Sequence, residues 1–408
     1  MSREQSALRV GCGAIAITTS TVLPVFLAGA MAVQISAELG FDPAGLGVAA
    51  ALYFGVSALV SLPVGRIVER FGSARTSRIA ALGAATMMVL TAAVPWNYVS
   101  FLVTLLCSAW CNVMGQLSSN LTLARAMPAG RMGLSFGAKQ ASVPLATLLA
   151  GAAVPAVGLT VGWRWAYVMG AGLALLALAA APRGSGPRAR DRNEPVDRAT
   201  GALWVIGAAA GLGAASANGL GIFLVSSAVD RGIDPALAGL VLTLGSVVGL
   251  LMRLLHGWLA DRRSGGHIAV VAGCLLFGAI GLALLAVPGP VWLVVGTVLG
   301  FGLGWSWPGL LQFAVVRLNP SAPAGATAII QVGVYAGGFV GPIGFGFLAT
   351  HASFASAWLV AAAAMLVACG GVLVGRRMLL AYTARRRADG LVSAHSAGPP
   401  DSEGDRPT

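Results

Sequence analysis

The chain alternates between long apolar runs and short polar connections, and it does so twelve times. The runs lie near residues 10–33, 45–66, 76–95, 98–124, 134–158, 163–182, 201–229, 236–259, 267–287, 290–316, 325–349 and 353–375. Each is roughly 20 residues long, enough as a helix to cross about 30 Å of hydrocarbon. The pattern predicts an all-α integral membrane protein of twelve transmembrane helices. Glycine and proline recur inside the runs, as membrane helices tolerate, because small residues let backbones approach and neighbours re-satisfy freed carbonyls. The first run, from Gly11 to Val33, is longer than a signal-peptide core and shows no cleavage site, so it reads as a retained helix. Residues 183–200 form a charged, Pro/Gly-rich linker between two sets of six runs, 1–182 and 201–375. Residues 376–408 turn from basic to Gly-, Pro-, Ser- and acid-rich and are expected to be a disordered tail.

The two sets are copies of one another at an offset of 192 residues. Gly40-Phe41-Asp42-Pro43-Ala44 recurs as Gly232-Ile233-Asp234-Pro235-Ala236. Gly65, Glu69 and Arg70 recur as Gly257, Asp261 and Arg262. The register holds without a gap through Arg125 and Arg317, Pro128 and Pro320, and Gly133 and Gly325. A repeat of this length names an architecture before any residue has a role.

Composition sharpens the class. The chain is 57% apolar and 10% charged, against about 25% charged in soluble domains. Its net charge of +12 would suggest nucleic acid until the charges are placed. Of 26 basic residues, 22 fall at the N-terminus, in alternate connections or in the tail, and only Arg164 and Arg231 fall in the others. By the positive-inside rule both termini and the linker are cytoplasmic, in a multi-pass protein of the cell (inner) membrane. The charge is therefore topological, and no nucleic-acid partner is implied. Arg385, Arg386 and Arg387 either touch anionic lipid headgroups or serve as an ordinary cytoplasmic anchor before a frayed end. The five cysteines all fall within apolar runs and read as core packing. The four histidines have no metal-ligand spacing, and no cofactor motif appears. Lys139, the only lysine, follows Ala138 where a phosphate-binding loop needs glycine, which argues against ATP-driven transport by this chain. No acid–base or nucleophile constellation for an enzyme is present.

Two halves in the same orientation, related by an axis along the membrane normal, form a known transporter plan. The stretch Gly65-Arg66-Ile67-Val68-Glu69-Arg70-Phe71-Gly72-Ser73-Ala74-Arg75, with its second copy Gly257-Trp258-Leu259-Ala260-Asp261-Arg262-Arg263, resembles the signature loop of the major facilitator superfamily. The first copy carries Glu for the usual Asp and Ser73-Ala74 for the usual basic pair. The resemblance spans residues 10–375 and implies a monomeric secondary transporter of a small-molecule substrate in a lipid bilayer, with a coupling proton or ion left open. It also implies that Gly65, Glu69, Arg70, Gly257, Asp261 and Arg262 form gates, the charges pairing with helix ends of the other half. Plain topogenic charge is the alternative.

Several polar residues inside the runs are candidates for substrate contact. Ser108, Asn112, Gln116 and Asn120 are each four apart, so they share one face of run four. Amides avoid lipid, so this face turns to protein or water; hydrogen bonding between helices explains it as well as a ligand does. Lys139 lies six residues past Gly133, about 9 Å along a helix. Either it binds an anion or a proton, assisted by Gln140, or its stem snorkels to the surface. The repeat sets Gln331 opposite it, with Tyr335 a turn on. Arg253, four residues before Gly257, is within easy snorkelling reach and is expected to do so. The resemblance adds Asn218, Trp305, Trp307 and Gln312, on helices that line the family's cavity. All fourteen acids fall in connections, ends or tail. A lysine and amides without a carboxylate favour an anionic or neutral polar metabolite. A multidrug or secondary-metabolite exporter is the alternative, and a membrane sensor or scaffold that lost transport is a third class.

Overall fold

In the computed structural model, residues 3–126, 132–179, 200–318 and 323–396 are described. They form fifteen helical segments and no strand. These are α1 Arg3–Ala30, α2 Ala32–Leu39, α3 Pro43–Phe71, α4 Ser73–Ala93, α5 Tyr98–Ala126, α6 Met132–Gln140, α7 Ser142–Ala153 and α8 Trp163–Ala179 in the first half. The second half holds α9 Thr200–Asp230, α10 Pro235–Arg262, α11 His267–Leu284, α12 Pro290–Leu299, α13 Pro308–Leu318, α14 Pro323–His351 and α15 Phe354–Ser396. Eleven spans are long and apolar enough to cross a bilayer, and the 17-residue α8 is a shorter apolar twelfth. Pairs α6–α7 and α12–α13 are each one span, interrupted midway. The face where α1 begins also carries the α3–α4 and α10–α11 turns and most of the arginines; it is called the basic face below.

The repeated Gly-x-Asp-Pro segment is a helix-starting device. Gly40 and Gly232 take left-handed φ values of 69° and 80°, where a side chain would be strained. Asp42 then accepts the Gly45 N–H at 2.8 Å, and Asp234 accepts those of Ala236 and Leu237 at 2.8 and 3.3 Å. Pro43 and Pro235 occupy the first helical position, where a missing N–H costs nothing.

Small residues set the packing between helices. A Cβ placed on Gly341 of α14 would lie 2.5 Å from the Ala215 carbonyl of α9, so the two backbones touch there. On the face opposite the basic one, the halves meet closely at three seams. Gly29 of α1 packs on Ile222 of α9, and Gly151 of α7 packs on Gly239 and Thr243 of α10. At the third seam the Ala44 N–H of α3 donates to Thr350 Oγ1 of α14 at 2.9 Å.

Three sequence expectations meet a different local structure. The last helix does not give way to an irregular tail at 376 but runs on to Ser396, with Leu379 buried. Cys12 and Cys107 are exposed on the outside of the bundle, while Cys111 and Cys274 are buried and Cys369 is partly so; all five are free thiols. Spans five and ten are broken rather than continuous. Pro144 and Pro308 remove donors a straight helix needs, and π turns at Val154–Gly158 and Gly300–Gly304 shift the hydrogen-bond register. Residues 183–199 of the linker and 397–408 of the tail lie outside the described residues.

Candidate functional site

Two clusters of interior polar residues cross from one half to the other. The first joins α3 and α5 to α13 and α14. Gln312 Nε2 donates to Gln331 Oε1 at 3.4 Å. The Tyr335 hydroxyl, one turn along α14, lies beside Gln331 and Ser61 of α3. Ser61 Oγ donates to the Ser57 carbonyl at 2.6 Å, and Asn112 Nδ2 of α5 reaches Ser57 Oγ at 3.5 Å. Asn112 Oδ1 is buried and accepts from nothing among the described residues. A buried acceptor left unmet costs roughly 1–3 kcal/mol, so this oxygen is poised for a donor.

Along the α5 stripe, exposure rises from Ser108 and Asn112, which are buried, through half-buried Gln116 to exposed Asn120 at the basic end. Ser108 Oγ bonds back to the Leu105 carbonyl at 2.6 Å. Asn218 of α9 is half-buried, its Nδ2 within 3.6 Å of a Cβ placed on Gly338, beside Phe54. It borders the first cluster without a bond to it.

The second cluster joins α6 and α7 to α10 and α13, and it is cationic. Lys139 is 8% exposed and Arg253 is 3% exposed, so neither snorkels to the surface. For Arg253 this overturns the expectation from its distance to the helix end. Its guanidinium turns inward: Nε and Nη2 donate to the Trp305 carbonyl at 3.1 and 2.5 Å, and Nη1 donates to the Gln140 carbonyl. Its carbon also lies 5.7 Å from the Trp305 ring centre, a cation–π contact. Lys139 and Arg253 sit at one level of the seam, since a Cβ on Gly137, two residues before Lys139, would lie 2.6 Å from the Arg253 carbonyl oxygen. The bonded partners of Arg253 are carbonyls, and the one ion pair among the described side chains is Glu38–Arg164, on the opposite face. Trp305 is buried in an aromatic cluster, edge-on to Phe26 of α1 at 5.8 Å and to Phe301 at 5.4 Å. Trp307 is likewise a core residue, and its indole N–H donates to the Gly304 carbonyl at 2.9 Å. Gln140 contributes its backbone carbonyl; its side chain is half-buried.

The repeated loop motif has two different settings. Asp261 accepts the Gly133 and Leu134 N–H groups at 2.7 and 2.9 Å, at the start of α6 in the other half. There a carboxylate meets unpaired amides and the positive end of the helix. Gly257 sits against the same segment, a Cβ on it falling 2.7 Å from the Gly133 carbonyl. Arg262 lies over the Trp258 ring at 3.6 Å, on its own helix. In the first copy, a Cβ on Gly65 meets only Leu117 of its own half, at 3.9 Å. Arg70 is exposed and lies 5.6 Å from the Phe71 ring, and the Glu69 side chain is outside the described residues.

Ser57, Ser61 and Arg253 were missing from the sequence-based site. The serines are four apart inside an apolar run, the same signal that marked the amide stripe of α5. Arg253 could not be found this way, because only the fold shows where its stem points.

The sequence matches the profile of the Major Facilitator Superfamily over residues 11–206 and again over 203–397. Among solved structures, the fold is similar to a bacterial homologue of the human lysosomal transporter Spinster, captured in an inward-facing and occupied conformation. The TM-score is 0.65 at 14% identity, covering 94% of this chain and 97% of that one. Twelve spans in two like-oriented halves, a duplicated loop motif and a doubled profile match agree: this chain is a membrane transporter belonging to the major facilitator superfamily.

Proposed function

We propose that the protein is a secondary transporter of a small organic anion, moved by alternating access between the two halves. The observation that carries this is the buried pair Lys139 and Arg253, bonded to no carboxylate and set between halves that must rock. Two like charges held in an apolar interior raise the energy of the empty site, and an anion lowers it. The amide and hydroxyl chain from Asn112 to Gln331 offers donors and acceptors to polar groups on the same solute. A small hydroxylated carboxylate or phosphate suits both clusters. Asp261 and Gly257 close the α6–α10 seam on the basic face, and the arginine distribution supports reading that face as the cytoplasmic side of an inner membrane.

The test is flux in proteoliposomes across a panel of inorganic phosphate, lactate, gluconate and neutral sugars, with and without a pH gradient. Lys139→Gln and Arg253→Gln are expected to lower anion uptake at least tenfold while neutral solutes are unaffected. Anion uptake unchanged in Lys139→Gln would sink the reading. The aromatic cluster of Phe26, Phe301 and Trp305 supports a second one, export of apolar compounds. In that case a hydrophobic dye is transported, and Lys139→Gln leaves its flux intact.

A further inference from the structure

Two helix breaks face each other across the seam between the halves, and one side chain closes both. In the first half Pro144 has no N–H, so the Gln140 carbonyl four residues earlier has lost its helical donor. In the second half the span leaves the π turn Gly300–Gly304, passes through Trp305–Trp307 and restarts at Pro308. The Gly304 carbonyl, four before Pro308, is met by the Trp307 indole. The Trp305 carbonyl lies in the turn itself and takes two donors from Arg253. The third donor of that guanidinium goes across the seam to the Gln140 carbonyl. Backbones are in contact at the same level, since a Cβ on Gly137 would lie 2.6 Å from the Arg253 carbonyl oxygen.

These bonds join a full charge to neutral dipoles. A carboxylate or phosphate makes a stronger, bidentate partner for guanidinium than any carbonyl does. We infer that Arg253 is an occupancy-sensitive tie between the halves. With the site empty it holds the end of α6 to α10 and to the turn before α13 through the two orphaned carbonyls. An anion arriving beside Lys139 takes the guanidinium, frees the Gln140 carbonyl, and so loosens a seam that has to part for transport. The nature of the displacing group rests on the anion reading above; the tie itself does not.

Double electron–electron resonance tests it on the full chain in nanodiscs. Nitroxides are placed at Arg78→Cys and Ser264→Cys, exposed positions in opposite halves, with the five native cysteines changed to alanine. Pro144→Ala gives the Gln140 carbonyl its helical donor back and leaves every charge in place. Arg253→Lys keeps the charge and loses the fork. Both are expected to shift the ratio of long to short separations at least threefold toward long, with no anion added. Phosphate, lactate or gluconate, whichever the parent transports, should produce the same shift in the parent and none in Lys139→Gln. An unchanged ratio in Pro144→Ala, a variant that favours helix and so folds, overturns the tie whatever the anions do. A ratio that moves in both variants while no anion moves the parent upholds the tie and counts against the anion reading instead.

Discussion

Gly65 and Gly257 occupy equivalent places in the repeat, yet their surroundings have little in common. At Gly257 the backbone of the other half stands where a side chain would begin, 2.7 Å away, and Asp261 one turn on holds two amides of α6. At Gly65 the nearest atom is the flexible end of Leu117 at 3.9 Å, in the same half. The duplicated sequence supplies the same small residue and the same acid–arginine pair to both seams. Among the described side chains, the second copy is the one engaged across the halves. The repeat thus supplies similar parts to both places, and their different surroundings set how tightly each is packed.

Substitution at these glycines should give the largest contrast. Gly257→Ala pushes a methyl into the Gly133 backbone, which cannot rotate away, and strain of this kind costs about 1–3 kcal/mol. Gly65→Ala meets open space and gains helix propensity of up to about 1 kcal/mol. Thermal unfolding in detergent should therefore move down for the first and stay level or rise for the second. Equal shifts would mean that the two seams are packed alike and would end the comparison. Asp261→Asn should come next. Its amide keeps one acceptor but loses the charge, so two charge-assisted bonds at a helix start become one neutral bond, a loss of about 1–2 kcal/mol. Thiol labelling of Ser135→Cys, near the start of α6, should speed up in Asp261→Asn relative to its Asp261 parent. The corresponding Glu69→Gln should not change it, and faster labelling in both would show the copies to be equivalent after all.

Much of this arrangement was legible in the chain, for identifiable reasons. Apolar run length gave the twelve spans because the bilayer fixes how long a helix must be. The period of four on run four gave the α5 stripe, and the repeat pointed to Gln331 and Tyr335, which do join Asn112 through Ser57 and Ser61. Breaks were harder. Pro144 announces that the Gln140 carbonyl needs another donor, but nothing local says that an arginine 113 residues away supplies it. The same gap misplaced Arg253: distance to the helix end permits snorkelling, while the choice between surface and interior is made by carbonyls on two other helices. The long continuation of α15 was hidden for a different reason. Composition marks a polar, basic stretch as unable to form a core, and a helix that follows a membrane span needs no core of its own.

The smallest effect concerns the opposite face, where the halves again use different means for one task. In the first half Arg164 ties α8 to Glu38 at 2.5 Å and to the Pro95 carbonyl at 2.8 Å, and Trp163 adds a bond to the same carboxylate at 2.7 Å. In the second, Arg231 ties the end of α9 to the Leu285 and Val287 carbonyls and to Ser227. One tie contains a group that titrates in mild acid and the other does not. The Arg164 guanidinium beside Glu38 holds its carboxyl below the usual carboxylate range. Its contribution is therefore complete above the unfolded value of about 4.3 and fades as pH falls through the lower folded value. Both side chains are more than a third exposed, so solvent screening keeps the gain to about 0.2–1 kcal/mol. Melting temperatures measured from pH 6 down to pH 3 should fall less in Arg164→Gln than in the parent, other acids being common to both. Arg231→Gln should lower stability by a similar amount at every pH in that range. If Arg164→Gln shows the parent's full acid slope, the Glu38 tie does not hold the first half together, and the two halves are fastened alike on that face.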